Sequence, residues 1–373
     1  MKKIFYLANS RIPTEKAHGI QIMKTCEALS CAGADVTLVL PGRKNSIKDD
    51  PFEYYKVKNN FKISTFYTPD FVRYGKIGAF LSYFIFSFKI LLKFYREDEI
   101  FYSRDELPVL FLSLFGKKTF WEAHIGKWND LVSFTVKRVS GIIVISKGIK
   151  NYFIKNGVPE KKFLVSPDAV DLKKFSLNIG KKEARKKIGL SQDKKIIMYT
   201  GHLYGWKGAD VLAESAKFFG DDVVFYFVGG TAGDIEKFKN KYEKIGGNIV
   251  VAGQKPHDDI PLYLHSADIL IIPNSGKEDI SRLYTSPMKL FEYMAAGRPI
   301  VVSDLPSMRE ILNEKNALFF IPDNFESLAE SIKKILEDKN LSEKISSEAR
   351  KDALNYSWEK RAEGIINFIN DKR

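Results

Sequence analysis

Cysteine and histidine are scarce in this chain. Its 373 residues include only Cys26 and Cys31, five apart in one predicted helix, and five scattered histidines. This excludes a disulfide framework and a Cys/His cluster at zinc spacing, and it fits a reducing cytoplasm. The N-terminal run at residues 1–9 is too short for a signal peptide and meets Pro13 almost at once, so it reads as a buried first strand. There is no repeat of solenoid period and no low-complexity segment. A Gly-x4-Gly-Lys-Ser/Thr loop and a Gly-x-Gly-x-x-Gly fingerprint are both missing, which argues against nucleotide hydrolysis and dinucleotide redox chemistry.

What is present is an uneven excess of positive charge. Residues 1–180 hold 29 Lys+Arg against 17 Asp+Glu, a net +12, whereas residues 181–373 hold 30 against 29, a net +1. Such asymmetry points either to an anionic partner, a nucleic acid or the acidic leaflet of a membrane, or to a soluble basic surface. No nucleic-acid recognition motif accompanies it. Within this half the uncharged run 77–88, rich in phenylalanine, is flanked by Arg73, Lys76, Lys89, Lys93 and Arg96. It is shorter than the ~18–20 residues a spanning helix needs. Two readings remain, a core helix and an interfacial helix whose aromatic face lies among headgroups while its basic flanks meet phosphates.

Short apolar, β-branched runs recur with helical stretches between them. They fall at 3–8, 35–40, 62–67, 99–103, 119–124, 141–145 and 163–166, and again at 195–200, 223–228, 248–252, 268–272, 299–303 and 317–321. That is the pattern of parallel sheets buried on both faces, and two sets imply an α/β protein of two doubly wound, Rossmann-like domains. The boundary is expected within 171–191. This makes residues 1–172 one domain and 173–356 the other, with the tail helix 357–373 packing back on the first. Ligands of doubly wound sheets bind beyond the carboxyl ends of the strands, so the expected site is a cleft between two facing sheets.

The stretch Ser286-Pro287-Met288-Lys289-Leu290-Phe291-Glu292, running on to Gly297-Arg298-Pro299, predicts a helix entered through Ser-Pro, stopped by glycine and followed by a buried strand. The free N–H groups at such a helix start suit a diphosphate. Glu292, expected about two turns in, could accept both hydroxyls of a ribose. This stretch resembles the nucleotide-sugar motif of the family-4 retaining glycosyltransferases of the GT-B architecture, Glu-x7-Glu followed by Ala-Met-Ala-x-Gly-x-Pro-Val. Glu292 matches the second glutamate, the ribose-binding one. The first falls on Tyr284, a departure whose hydroxyl could contact a sugar or phosphate, so Tyr284 is taken as a catalytic position. Thr200-Gly201-His202-Leu203-Tyr204-Gly205-Trp206-Lys207-Gly208 is similar to the family's Gly-Arg-Leu-x3-Lys-Gly loop. There Lys207 matches the lysine that meets the donor phosphates, and His202 replaces the arginine.

The resemblance extends over nearly the whole chain. It implies that Gly19, in the loop between first strand and first helix, lets backbone approach the donor diphosphate, and that His124 contacts the donor sugar near the reacting carbon. The segment Gly253-Gln254-Lys255-Pro256-His257 matches the loop that cups the nucleotide base. The stretches 141–148 and 165–171 resemble landmarks that end the first domain. Donor-binding positions are therefore Gly19, Gly201, His202, Lys207, Lys255, Ser286, Pro287, Met288, Lys289 and Glu292, and catalytic ones His124, Lys207 and Tyr284.

No Asp-x-Asp occurs, so the metal-bridged diphosphate of the other large glycosyltransferase class is not expected. The implied activity is metal-independent, retaining transfer of a sugar from a nucleoside-diphosphate donor to a glycan or lipid-linked acceptor. It needs no cofactor and no nucleic acid, and takes place in the cytoplasm, with an anionic membrane surface as a further partner. A non-hydrolysing nucleotide-sugar epimerase and a degenerate nucleotide-sugar-binding subunit are the alternatives.

Overall fold

Among the residues that the computed structural model describes, 2–242 and 248–372, the thirteen apolar runs form thirteen strands. Seven build the first sheet: β1 (Lys3–Leu7), β2 (Asp35–Pro41), β3 (Lys62–Phe66), β4 (Ile100–Ser103), β5 (Lys118–Ala123), β6 (Gly141–Val144) and β7 (Phe163–Val165). Six build the second: β8 (Lys195–Thr200), β9 (Val223–Val228), β10 (Ile249–Gly253), β11 (Ile269–Ile272), β12 (Ile300–Ser303) and β13 (Leu318–Phe320). Every pairing between neighbours is parallel, in the orders β3-β2-β1-β4-β5-β6-β7 and β10-β9-β8-β11-β12-β13. In each sheet the strand order reverses once, between β1 and β4 and between β8 and β11. At such a switch point the two connecting segments leave on opposite sides and open a crevice at the carboxyl ends of the strands.

The second sheet shows why its strands read as continuous apolar runs. Ile196, Met198, Leu270, Ile272, Ile300 and Val302 pack into one core, while the alternating Ile197, Tyr199, Ile269, Ile271 and Val301 pack into another on the opposite face. Successive side chains of a strand point to opposite faces, so burial of both faces demands an apolar residue at every position.

The chain divides into one unit of Met1–Pro167 with Trp358–Arg373 and a second of Asp168–Ser357. The division after Pro167 precedes the expected boundary, and segment 168–171, read as a landmark of the first domain, belongs to the second. Its backbone is held there: Asp168 N–H donates to Ser286 Oγ at 3.1 Å and Val170 N–H to the Tyr356 carbonyl at 2.9 Å. The charged helix Lys181–Lys187 is not merely solvated. Arg185 is buried and its guanidinium meets the Asp268 carboxylate at 2.6 Å, to which Ile196 N–H also donates at 2.6 Å.

The helix Trp358–Asp371 packs in the first unit. Its Arg361 is buried, with Nη2 2.9 Å from Oε1 of the fully buried Glu122 on β5 and Nε donating to the Pro167 carbonyl at 2.9 Å. The run 77–88 extends into a helix over Gly75–Phe94. By length and composition the segment Val72–Phe94 could cross a membrane, a correction to the expectation from the shorter run. One side of this helix packs on the sheet through Phe86, Ile90 and Phe94 against Phe5, Leu7 and Phe101.

Removing Arg361 would leave a buried carboxylate without its cation, a loss of about 3–5 kcal/mol. Arg361→Met is therefore expected to lower the unfolding temperature clearly, and the Glu122→Gln/Arg361→Met pair to recover part of the loss. A single variant that melts with the wild type contradicts this account of the C-terminal helix.

Candidate functional site

In the second unit the switch point lies between the loop that follows β8 and the segment that follows β11. These two are pressed together at Gly208, whose φ is +71° and whose Cβ, if present, would lie 1.7 Å from the Pro273 carbonyl oxygen. Only glycine fits such a left-handed position at that approach. Two tyrosine hydroxyls clamp the loop. Tyr293 OH accepts from Thr200 N–H at 2.7 Å, and Tyr199 OH donates to the His202 carbonyl at 2.6 Å. The His202 ring stacks on Tyr204, centroids 4.8 Å apart.

Two lysines meet here. Lys207 lies over the Trp206 ring at 3.9 Å, and burial draws its pKa down to about 8. Lys289, from the helix Met288–Ala296, lies over the Tyr199 ring at 4.0 Å. Its Nζ is buried with no hydrogen-bond partner among the described residues. Burial first, and then the charge of Lys207, push the Lys289 pKa well below the ordinary lysine value, against a smaller pull from Glu292. Gly201 borders the same space, since a Cβ there would lie 3.9 Å from Lys289 Nζ. Two desolvated lysines, neither in an ion pair among the described residues, beside the amides of a helix start form a candidate anion site.

The remaining motif residues surround or support this space. Pro287 is the N-cap of the Met288–Ala296 helix and Gly297 its left-handed C-cap. Ser286 is buried, with its hydroxyl committed to the Asp168 amide. Met288 is half-buried. Tyr284 is buried at the end of the π-helical turn Ile280–Tyr284. Glu292 is the fifth residue of its helix, one turn in rather than two. Its Oε1 lies 3.4 Å from His257 Nε2, while His257 Nδ1 faces Lys174 Nζ at 2.8 Å. Lys255 is half-buried in the segment after β10. Sequence reasoning missed Asn274, which follows β11. Its side-chain amide is buried with neither Nδ2 nor Oδ1 bonded among the described residues.

The first unit has a cavity of about 320 Å³ at its own switch point, lined by residues that include Ala8, His18, Arg104, Asp105, His124 and Lys127. His124 follows β5, and its Nε2 is 2.8 Å from Glu122 Oε1. That carboxylate also receives Gln21 Nε2 at 2.7 Å, Arg361 and the Tyr102 hydroxyl. Burial alone would raise the Glu122 pKa, but Arg361, the His124 hydrogen bond and Arg104 together hold it well below the usual carboxylate range. Burial, then Arg104, lowers His124 to about 4, so its ring is neutral at pH 7. With Glu122 ionised, the ring proton sits on Nε2 and Nδ1 is an acceptor. Asp105 is raised to about 6 by burial, opposed by the Asn9 amide that donates to it.

Gly19 departs from expectation. It lies inside the helix Ala17–Cys31, and its open side is filled, since a Cβ would meet the Tyr55 hydroxyl at 2.1 Å and Thr14 Cγ2 at 2.7 Å. That hydroxyl is fixed between the Thr14 amide and carbonyl at 2.6 and 2.8 Å. The missing side chain therefore makes room for a tyrosine rather than for an approaching phosphate. Among the described residues no group of three or more His, Cys, Asp or Glu could hold a metal ion.

The family model for glycosyl transferases group 1 matches residues 180–352. An uncharacterised glycosyltransferase of Methanocaldococcus jannaschii is 28% identical over 235 residues, 61% of this chain and 58% of that protein. The N,N'-diacetylbacillosaminyl-diphospho-undecaprenol alpha-1,3-N-acetylgalactosaminyltransferase of Campylobacter jejuni is 29% identical over 234 residues, 61% of this chain and 59% of that protein. The matches thus span less than two thirds of these relatives. Among solved structures, Anabaena HepE in complex with UDP superimposes with a TM-score of 0.79, covering 100% of both chains at 15% identity. At that identity the likeness is one of fold, and the two doubly wound sheets are those of the GT-B architecture.

A bound anion favours the charged form of Lys207 and Lys289, so binding should draw protons from solution. Inorganic pyrophosphate titrated calorimetrically at pH 8 in buffers of different ionisation enthalpy should show uptake of about half a proton or more. As the lysines lose their charge, affinity should fall as pH rises through about 8. Binding without proton uptake contradicts the desolvated pair.

Proposed function

We propose, for a chain whose residues 180–352 match the family model for glycosyl transferases group 1, a metal-independent and retaining transfer of a sugar from a nucleoside-diphosphate donor to a glycan or lipid-linked acceptor. The observation that carries this reading is the pair of desolvated lysines, Lys207 and Lys289, beside the start of the Met288–Ala296 helix. Two ammonium groups and a row of backbone amides stabilise a departing diphosphate without a divalent ion, and they act more strongly out of water than in it. Lys289 supplies a second cation where the family's loop arginine is replaced by His202.

The second unit holds the donor. Glu292, steadied by His257, takes the ribose hydroxyls, and the segment with Lys255 borders the base. The first unit holds the acceptor, with the cavity beside Arg104 and Lys127 as its place. Neutral His124, oriented by Glu122, offers Nδ1 to a sugar hydroxyl. In the transfer the bond from C1 to the leaving phosphate oxygen breaks. The acceptor oxygen bonds to C1 on the same face, and the acceptor proton passes to the departing phosphate. The Campylobacter relative's name specifies a diphospho-undecaprenol acceptor, which supports a lipid-linked acceptor for this chain. The HepE complex supports a uridine diphosphate donor.

A panel of nucleoside-diphosphate sugars with lipid-diphosphate acceptors tests this. Transfer with retention at C1 is expected, and Lys207→Ala should lower turnover about 100-fold or more. Glu292→Ala should act mainly on donor affinity. Interconversion of donor sugars, or donor binding with no transfer even to water, overturns the proposal. Turnover should also survive chelation, and a loss with EDTA that manganese restores contradicts metal independence.

A further inference from the structure

The helix Gly75–Phe94 is apolar on two opposite sides. Gly78, Ser82, Phe86, Ile90 and Phe94 are buried. Ile77, Phe80, Leu81, Phe84, Phe88 and Leu92 are exposed, Ile77 by 85% and Phe80 by 60%. At about 100° per residue, the exposed set forms one continuous stripe centred opposite the buried one. Soluble surfaces carry apolar residues singly, whereas a stripe along a whole helix marks a surface that meets something.

The rim of the stripe has its own chemistry. Three exposed tyrosines border it, each with a cation over its ring: Lys89 on Tyr67 at 5.4 Å, Arg73 on Tyr74 at 4.7 Å and Arg96 on Tyr95 at 5.1 Å. Lys76 adds one more positive charge, and the helix itself contains no acidic residue. Amphipathic rings and long cationic side chains are the groups that sit at the level of lipid headgroups.

From this geometry we infer that the exposed face of the Gly75–Phe94 helix docks the first unit on an anionic lipid leaflet, lying in its surface. The stripe enters the acyl boundary and the tyrosine and cation rim meets headgroup phosphates. The helix does not cross the bilayer although its length and composition would allow it, because its other side is committed to Phe5, Leu7 and Phe101 of the sheet. A second copy of the chain is disfavoured as the occupant, since pairing the stripe with itself would bring two rings of like charge together. A leaflet of negative charge meets both features of the surface, and the net +12 of residues 1–180 adds to the attraction. This inference stands apart from the transfer chemistry, and its test uses neither donor nor acceptor.

The full-length protein is floated with phosphatidylglycerol-rich vesicles and with pure phosphatidylcholine vesicles. Binding is expected on the first, weak or absent binding on the second, and a decline between about 0.05 and about 0.5 M salt, over which the Debye length shortens severalfold. Ile77→Glu/Phe80→Glu should weaken vesicle affinity about 10-fold or more with an unchanged melting temperature, because both side chains are exposed. Arg73→Gln/Lys76→Gln should weaken it less and flatten the salt dependence. Equal binding to both vesicles, no binding to either, or a wild-type dimer that the Ile77→Glu/Phe80→Glu change dissociates would each overturn the inference.

Discussion

Two parallel sheets, each covered on both faces, set the terms for everything else in this protein. A strand whose alternate residues enter two separate cores leaves little room for polar side chains, as the apolar positions of β8, β11 and β12 show. Chemistry is thereby driven off the strands to their carboxyl ends, and in both units it collects where the strand order reverses. The second unit places Lys207 and Asn274 beyond β8 and β11. The first places His18, Arg104 and Asp105 around a cavity beyond β1 and β4. Gly208 against Pro273 is the tightest expression of this constraint, because the segments beyond two adjacent strands can share the crevice only where one of them carries no side chain.

The two units treat buried charge in opposite ways. In the first, Glu122 is fully buried and receives Arg361, Gln21, Tyr102 and His124. A carboxylate so completely partnered stays ionised and serves as a fixed anchor, which orients His124 and ties the C-terminal helix to β5. In the second, Lys207 and Lys289 are desolvated with aromatic rings beneath them, and among the described residues neither ammonium group is in an ion pair with a carboxylate. Desolvation depresses both pKa values, and the charge of Lys207 lowers that of Lys289 further. An anchor that is satisfied stabilises the fold, while cations left unsatisfied gain stabilisation only when an anion arrives. Desolvation, which is costly to a lone cation, strengthens its attraction to a phosphate.

The helix Gly75–Phe94 follows a third rule. Its buried side is specified by Phe5, Phe94 and Phe101, with ring centroids 4.5 Å apart between Phe5 and Phe94 and 5.5 Å between Phe5 and Phe101. Its outer side is equally apolar, and the described residues leave it exposed. The run therefore resembles a core helix and an interfacial helix at once. Periodicity could not separate the two readings, because a helix that is apolar all round has the same pattern in either setting.

Strand positions and the α/β class were legible because parallel sheets buried on both faces impose a local pattern, continuous apolar runs of a few residues, that any reader of the chain can recognise. The motif around Lys207, Lys289 and Glu292 was legible for a related reason, since a helix start, its glycine stop and the loop after a strand are each written in adjacent residues. What adjacent residues could not express was decided by packing between distant ones. Gly19 looked like an open approach to phosphate, and only the placement of Tyr55, 36 residues later in the chain, shows that its space is filled. Glu122 stands within the apolar run 119–124, but its partner Arg361 comes from the far end of the sequence. The depressed pKa values of Lys207 and Lys289 are likewise tertiary facts. The sequence places two lysines and a helix start in register, whereas the desolvation the two lysines share, with neither in an ion pair among the described residues, exists only once β8, β11 and the Met288–Ala296 helix have come together.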